Sequence, residues 1–226
     1  MNYCKKNINK KVAVFGGAFD PVTNGHLQSF AEIINSMHYD EIWIVPSGKR
    51  LDKPRMTKPL DRLIMLHLAV NTYYTSDFPI KILDIEIYRE KPLATYDLLC
   101  YLRNENKDCD FTFVIGSDWL QPGTDLRMWK SQDPNDETKT IITGDKLINE
   151  FDFIVLYRPG YEIKDLKSFG PRFRMLKLPY NMEYINTKVS SSELRNRMEK
   201  NLILIEGLLP RAVLDFIKRN NIYKKN

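Results

Sequence analysis

Six short apolar runs, at residues 12–15, 42–45, 80–83, 111–115, 153–156 and 174–178, punctuate this chain. Between most of them lie stretches whose apolar residues recur at helical spacing. Near-continuous apolar runs of strand length suit strands buried on both faces, and parallel neighbours need a crossover, usually a helix. The alternation therefore predicts an α/β chain with a mainly parallel sheet and helices on both faces. Between the first two strands, Leu27, Phe30, Ala31 and Ile34 mark a helix that Asn24 or Thr23 can cap. Further helices are expected over 60–70, 95–104, 191–200 and 211–219, the last opened by Pro210.

The 226 residues, 43% of them apolar, fit one mid-sized domain spanning 1–226. The polar stretch 131–150 reads as an inserted surface loop with partial structure, and as the most mobile region. No run approaches the roughly 20 apolar residues that cross a bilayer. Lys5, Lys6, Lys10 and Lys11 at the start are not followed by a signal-peptide core, so neither a membrane partner nor export is expected. Cys4, Cys100 and Cys109 lack metal-like spacing and read as free thiols of a cytoplasmic protein. His26, His38 and His67 are too far apart for a local metal motif, so no intrinsic metal is expected. Thirty-four basic against 29 acidic residues give +5, which suits an anionic substrate and is too mild to argue for nucleic acid. A homo-oligomer is compatible with the composition.

The first strand runs into GGAFDPVTNGH at 16–26. Gly16 and Gly17 permit a tight turn and a close ligand approach, and the following helix start is an anion site beyond the carboxyl end of a strand. His26 falls in that helix's first turn. Near the other end, VSSSELR at 189–195 sets Ser190 three residues before Glu193, a capping-box spacing that leaves amides pointing outward. Arg195 is close enough to add a bidentate grip on phosphate. Taken singly, a glycine pair, a lone helix histidine and a capping box are ordinary structural features.

Together, the two strings resemble the ATP motifs of the nucleotidyltransferase superfamily, HxGH or TxGH and ISSTxxR, with Thr23 in place of the first histidine. That resemblance implies a single Rossmann-like nucleotidyltransferase domain. It implies that His26 stabilises charge developing on the ATP phosphates, that Ser191, Ser192 and Arg195 hold those phosphates, and that Lys53 of PSGKRLDKP brings positive charge to the reacting phosphate. Asp52 stands where a histidine is common, and Lys49 and Arg50 are nearby reserves. Thr23 retains one hydrogen-bond donor and no titratable group.

FDPVTNGH also resembles pantetheine-phosphate adenylyltransferases, so the choice rests on the middle of the chain. There, DIEIYREKPLATYDLL (84–99), FVIGSDWL and RMWK are similar to segments of nicotinate-nucleotide adenylyltransferases, although Ala94 replaces a usual tyrosine. FDFIVLYRPG and the closing helix also match that family. The resemblance implies ATP binding by Gly16, Gly17, Ala18, Phe19, Thr23, His26, Gly116, Asp118, Ser191, Ser192 and Arg195. It implies mononucleotide binding by Gly17, Ala18, Phe19, Lys53, Thr95, Trp129 and Arg158, with Trp119 competing for the stacking role. For each tryptophan alone, core packing is the ordinary role.

The implied catalytic set is His26, Lys53 and Arg195. The implied reaction joins nicotinic acid mononucleotide to the AMP part of ATP, yielding deamido-NAD and pyrophosphate, with Mg²⁺ delivered on ATP and no tightly bound organic cofactor. The acid ring is expected to be preferred, with nicotinamide mononucleotide a second acceptor. A pantetheine-phosphate enzyme and a non-catalytic nucleotide-binding module are the alternatives. An aminoacyl-tRNA synthetase fragment, suggested by TNGH and RMTK, is set aside because RMTK lies too close to TNGH and no anticodon-binding extension is present.

Overall fold

The six expected strands form one sheet, in the order β3 (Ile80–Ile82), β2 (Glu41–Pro46), β1 (Lys10–Gly17), β4 (Cys109–Gly116), β7 (Asp152–Leu156), β8 (Phe173–Met175), and every neighbouring pair is parallel. The computed structural model describes residues 9–50, 52–185 and 187–223. The helices are α1 (Asn24–Asn35), α2 (Pro59–Tyr73), α3 (Thr95–Glu105), α4 (Gly144–Glu150), α5 (Ser191–Met198) and α6 (Arg211–Arg219). Two further strands, β5 (Lys130–Asp133) and β6 (Asp136–Ile142), pair with each other as an antiparallel hairpin.

The period-two alternation of strands sorts the core into two layers. On one face Ala13, Ile42, Ile44, Val114 and Ile154 pack with α1, α2, α5 and α6. On the other, Val12, Val14, Val45, Phe113, Ile115 and Val155 pack with α3 and α4. Helices thus cover both faces of a single Rossmann-like α/β domain. The order in which strands are added reverses between β1 and β4, the place where open parallel sheets take ligands, beyond the carboxyl ends of the strands.

The stretch 131–150, expected to be a surface loop with partial structure, is mostly exposed and holds a hairpin and a short helix. The β5–β6 hairpin turns through Pro134 and Asn135, with the Asn135 amide donating to the Asp133 carboxylate at 2.8 Å. The Ser131 and Thr143 hydroxyls meet at 2.8 Å in the interior. Leu147 and Ile148 of α4 are buried, because this short helix covers the lower edge of the second core layer. At α1 the cap is Thr23, not Asn24, whose side chain instead donates to the Gly207 carbonyl at 2.8 Å. Strand β8 stops at Met175, short of the expected 178. Cys100 and Cys109 are free thiols, while Cys4 lies outside the described residues. His38 and His67 are exposed. Among the described residues no helix is long and apolar enough to cross a membrane.

Candidate active site

The turn after β1 delivers His26 to the crevice in a defined protonation state. Thr23 caps α1: its hydroxyl accepts from the His26 amide at 3.3 Å, and its own amide donates to His26 Nδ1 at 3.1 Å. An Nδ1 that accepts carries no proton, so neutral His26 bears its hydrogen on Nε2. The ring stands edge-on to Phe19, with centroids 5.2 Å apart. Burial, aided by the positive charge of Arg158, lowers the His26 pKa to about 4. His26 is therefore a neutral donor at physiological pH. Thr23 itself is fully buried, with its hydroxyl occupied by the cap and by His26 Nδ1 at 3.0 Å. The resemblance implied a contact from Thr23 to ATP; in the structure its hydroxyl and its amide are both engaged with His26.

The two distant phosphate motifs meet. Ser191 Oγ donates to the Pro21 carbonyl at 2.7 Å, and Arg195 Nη1 donates to the Asp20 carbonyl. Arg195 Nη2 also reaches Ser192 Oγ at 3.1 Å, Nη1 lies 3.9 Å from the Asp20 carboxylate, and the arginine side chain is partly exposed. Ser190 caps α5 as expected, accepting from the Glu193 amide at 3.2 Å. Glu193 pairs with Arg197 at 2.8 Å. Gly25 is required by this junction, since a Cβ there would lie 2.6 Å from Thr187 Oγ1, in the segment leading to α5.

Beside β1, the carboxyl ends of β4 and β7 bring Gly116, Asp118 and Arg158 together. Arg158 Nη1 lies 3.1 Å from Asp118 Oδ2, and its amide donates to Ser117 Oγ at 2.8 Å. Asp118 Oδ1 is buried without a hydrogen-bond partner among the described residues. Arg158, expected on the mononucleotide side, stands close enough to His26 to depress its pKa.

The residues expected beside the pyridine ring come from separate pieces of the chain. Thr95 opens α3, whose N-cap residue Ala94 makes no side-chain cap bond among the described residues. Trp129 stands edge-on to Trp119 at 5.3 Å, and Trp119 is 44% exposed. The Trp129 carbonyl accepts from the Thr143 and Gly144 amides at 2.9 and 3.0 Å, which ties it to the start of α4. The segment expected to be a surface loop is thus the support of Trp129. Lys53 is exposed on the loop after β2, and its neighbour Asp52 is gripped by Arg50 through two bonds of 2.8 and 2.7 Å.

Sequence reasoning missed two residues here. Arg62 of α2 is fully buried and donates to the carbonyls of Ala18, Ser47, Gly48 and Thr57. Tyr223 OH lies 2.5 Å from the Asp20 carboxylate. No local pattern announces either, because their acceptors come from segments remote in sequence. A separate cavity of about 1080 Å³, lined by Lys11, Arg103, Arg172 and Arg174 among others, opens at the amino ends of the strands, away from all these groups.

The fold and the paired phosphate motifs define a nucleotidyl-transferring class. A family model described as cytidylyltransferase-like matches residues 14–197, and the chain belongs to that family. A probable nicotinate-nucleotide adenylyltransferase of Bacillus licheniformis is 30% identical over 95% of this chain and 99% of its own length. The nicotinate-nucleotide adenylyltransferase of Bacillus subtilis is 27% identical with the same coverage. Among solved structures, the nicotinic acid mononucleotide adenylyltransferase of Plasmodium falciparum complexed with NaAD superimposes with a TM-score of 0.74 at 28% identity, covering 95% of this chain and 97% of that one.

Proposed function

We propose that this chain transfers the adenylyl group of ATP to nicotinic acid mononucleotide, forming deamido-NAD and pyrophosphate in the cytoplasm. The observation that carries this reading is the junction of the two phosphate motifs at Asp20 and Pro21, in the turn that leads to His26, beside an Asp118 oxygen with no hydrogen-bond partner among the described residues. The relatives of matching length named for this activity support it.

The mononucleotide's 5′-phosphate oxygen attacks the α-phosphorus in line; that P–O bond forms as the bond to the β-phosphate oxygen breaks and pyrophosphate departs. The nucleophile is already anionic, so no base is needed. The protein's work is alignment and neutralisation of spreading charge. His26 donates from Nε2, and the amides of Ala18 and Phe19, which have no acceptor among the described residues, face the phosphates. Arg195 and Lys53 add positive charge, and Ser191 and Ser192 present α5 to the phosphates. Thr23 acts only by fixing the His26 tautomer. Asp118 takes a nucleotide hydroxyl, with Arg158 holding that carboxylate. Mg²⁺ enters as the Mg·ATP substrate complex.

Trp129 and Thr95 flank the pyridine ring. The uncapped start of α3 favours a ring carboxylate over a carboxamide, because an amide NH₂ would face backbone donors at a cost of about 1 to 3 kcal/mol. Incubation of purified protein with Mg·ATP and nicotinic acid mononucleotide, followed by mass spectrometry, tests the reading. Deamido-NAD and pyrophosphate are expected in equal amounts. Their absence, with ATP bound, would leave the chain a nucleotide-binding module.

A further inference from the structure

Arg62 heads the fully enclosed side chains of the described residues, and all of its acceptors are main-chain carbonyls. Nε donates to Thr57 at 3.0 Å, Nη1 to Ala18 at 2.5 Å, and Nη2 to Ser47 at 2.5 Å and Gly48 at 3.0 Å. Burying a guanidinium carries a desolvation cost that an apolar side chain at this position in α2 would avoid. Its acceptors explain the choice: Ala18 belongs to the phosphate turn, whereas Ser47, Gly48 and Thr57 bracket the loop that carries Lys53.

The bonds also set amide directions. In a trans peptide the N–H points opposite to the preceding C=O, so drawing the Ala18 and Gly48 carbonyls toward Arg62 turns the Phe19 and Lys49 amides away from it. Neither amide has an acceptor among the described residues. Two more contacts close the same frame. Glu86 accepts from the Gly48 amide at 3.0 Å, and the Asp20 carboxylate accepts from the Thr57 amide at 3.3 Å. Gly48 has no room for a side chain, since a Cβ would lie 2.3 Å from the Glu86 carbonyl.

We infer that Arg62 is a positioning residue for adenylyl transfer, holding the phosphate turn and both ends of the Lys53 loop in one frame so that ATP and the attacking phosphate meet in line. This inference rests on the proposed activity. A planar five-donor fork reaches four carbonyls from one point, which a lysine ammonium with three donors cannot do.

Arg62→Lys keeps the charge and tests that geometry. At a temperature well below its unfolding midpoint, kcat should fall about 10- to 100-fold, the scale of a small misalignment. The KM values for ATP and mononucleotide should stay within about threefold. Hydrogen exchange should speed up at residues 18–20 and 47–57 together and remain unchanged in the central strands. Millimolar methylguanidinium should restore part of kcat to Arg62→Ala. Unchanged kcat in a folded Arg62→Lys protein, whatever its melting temperature, would overturn the inference, as would faster exchange in one segment without the other. If wild type fails to turn over, the activity reading falls separately; exchange still decides whether Arg62 couples the two loops, and uncoupled loops would overturn that too.

Discussion

On the proposed reading, the side of the site that takes the phosphates and the side that takes the ring are secured by different means. Residues 18–21 are bound from three remote places, by Arg62 of α2, by Ser191 and Arg195 of α5, and by Tyr223 beyond α6. The ring side rests on an uncapped helix start, a half-exposed pair of tryptophans and a hairpin outside the main sheet. Preorganised donors lower a barrier because they need not reorient during reaction, so a tightly bound phosphate turn suits the chemistry. Choosing one flat ring over another needs only a wall of the right shape and polarity. Changes on the phosphate side should therefore strike turnover and ATP, and changes on the ring side should strike the acceptor alone.

The largest break is expected at His26. His26→Ala removes a neutral Nε2 donor and should lower kcat by roughly 10² to 10³-fold with the circular dichroism spectrum unchanged. Near-normal turnover in a folded variant would show that the turn works through its amides alone. Arg195→Ala should weaken ATP binding about 10- to 100-fold, through lost phosphate contact and a freed Asp20 carbonyl, and Lys should rescue only part of it. Titration calorimetry with ATP reads the effect. If ATP affinity holds while mononucleotide affinity collapses, Arg195 serves the other substrate.

On the ring side, Trp129→Ala should raise the mononucleotide KM about tenfold and leave the ATP KM alone, on the scale of one aromatic contact. Trp119→Ala should do less. The reverse order would make the exposed Trp119 the ring's partner. The smallest effect sharpens the state of His26. Its folded pKa of about 4 lies below the ordinary 6.5, so its contribution to stability is complete above about pH 6.5 and is lost as pH falls toward 4. Nuclear magnetic resonance should find the His26 inflection near 4 in the free protein and higher with ATP, whose phosphates favour the imidazolium. An inflection near 6.5 without ligand would contradict the buried, Arg158-facing setting.

The same division governs what could be read from residues alone. Each main strand and most helices announce themselves because burial imposes a period of 2.0 or 3.6 on neighbouring residues. His26 and the 190–195 cap are local too and fall where their pattern puts them, whereas Gly16 and Gly17 finish β1 as extended residues and the left-handed φ of the turn falls on Phe19. Arg62 was illegible. In PLDRLIMLHLA an arginine reads as a solvated position, and only the arrival of carbonyls from residues 18, 47, 48 and 57 explains its burial. The hairpin and α4 were obscured by polarity, since GDKLINE offers only Leu147 and Ile148 to the core. Thr23 was found as a motif position, while its work as a cap that sets a tautomer depends on a 3.1 Å bond to Nδ1 that no spacing reveals.

The central claim is adenylyl transfer to a pyridine mononucleotide bearing a carboxylate. It is tested most directly by kcat/KM at saturating Mg·ATP for nicotinic acid mononucleotide, nicotinamide mononucleotide and 4′-phosphopantetheine under one set of conditions. The account predicts the acid form highest, the amide form roughly 10- to 100-fold lower, as about 1 to 3 kcal/mol of donor mismatch requires, and no turnover with phosphopantetheine. An amide value equal to or above the acid value would contradict the role given to the start of α3, and turnover with phosphopantetheine alone would contradict the claim itself.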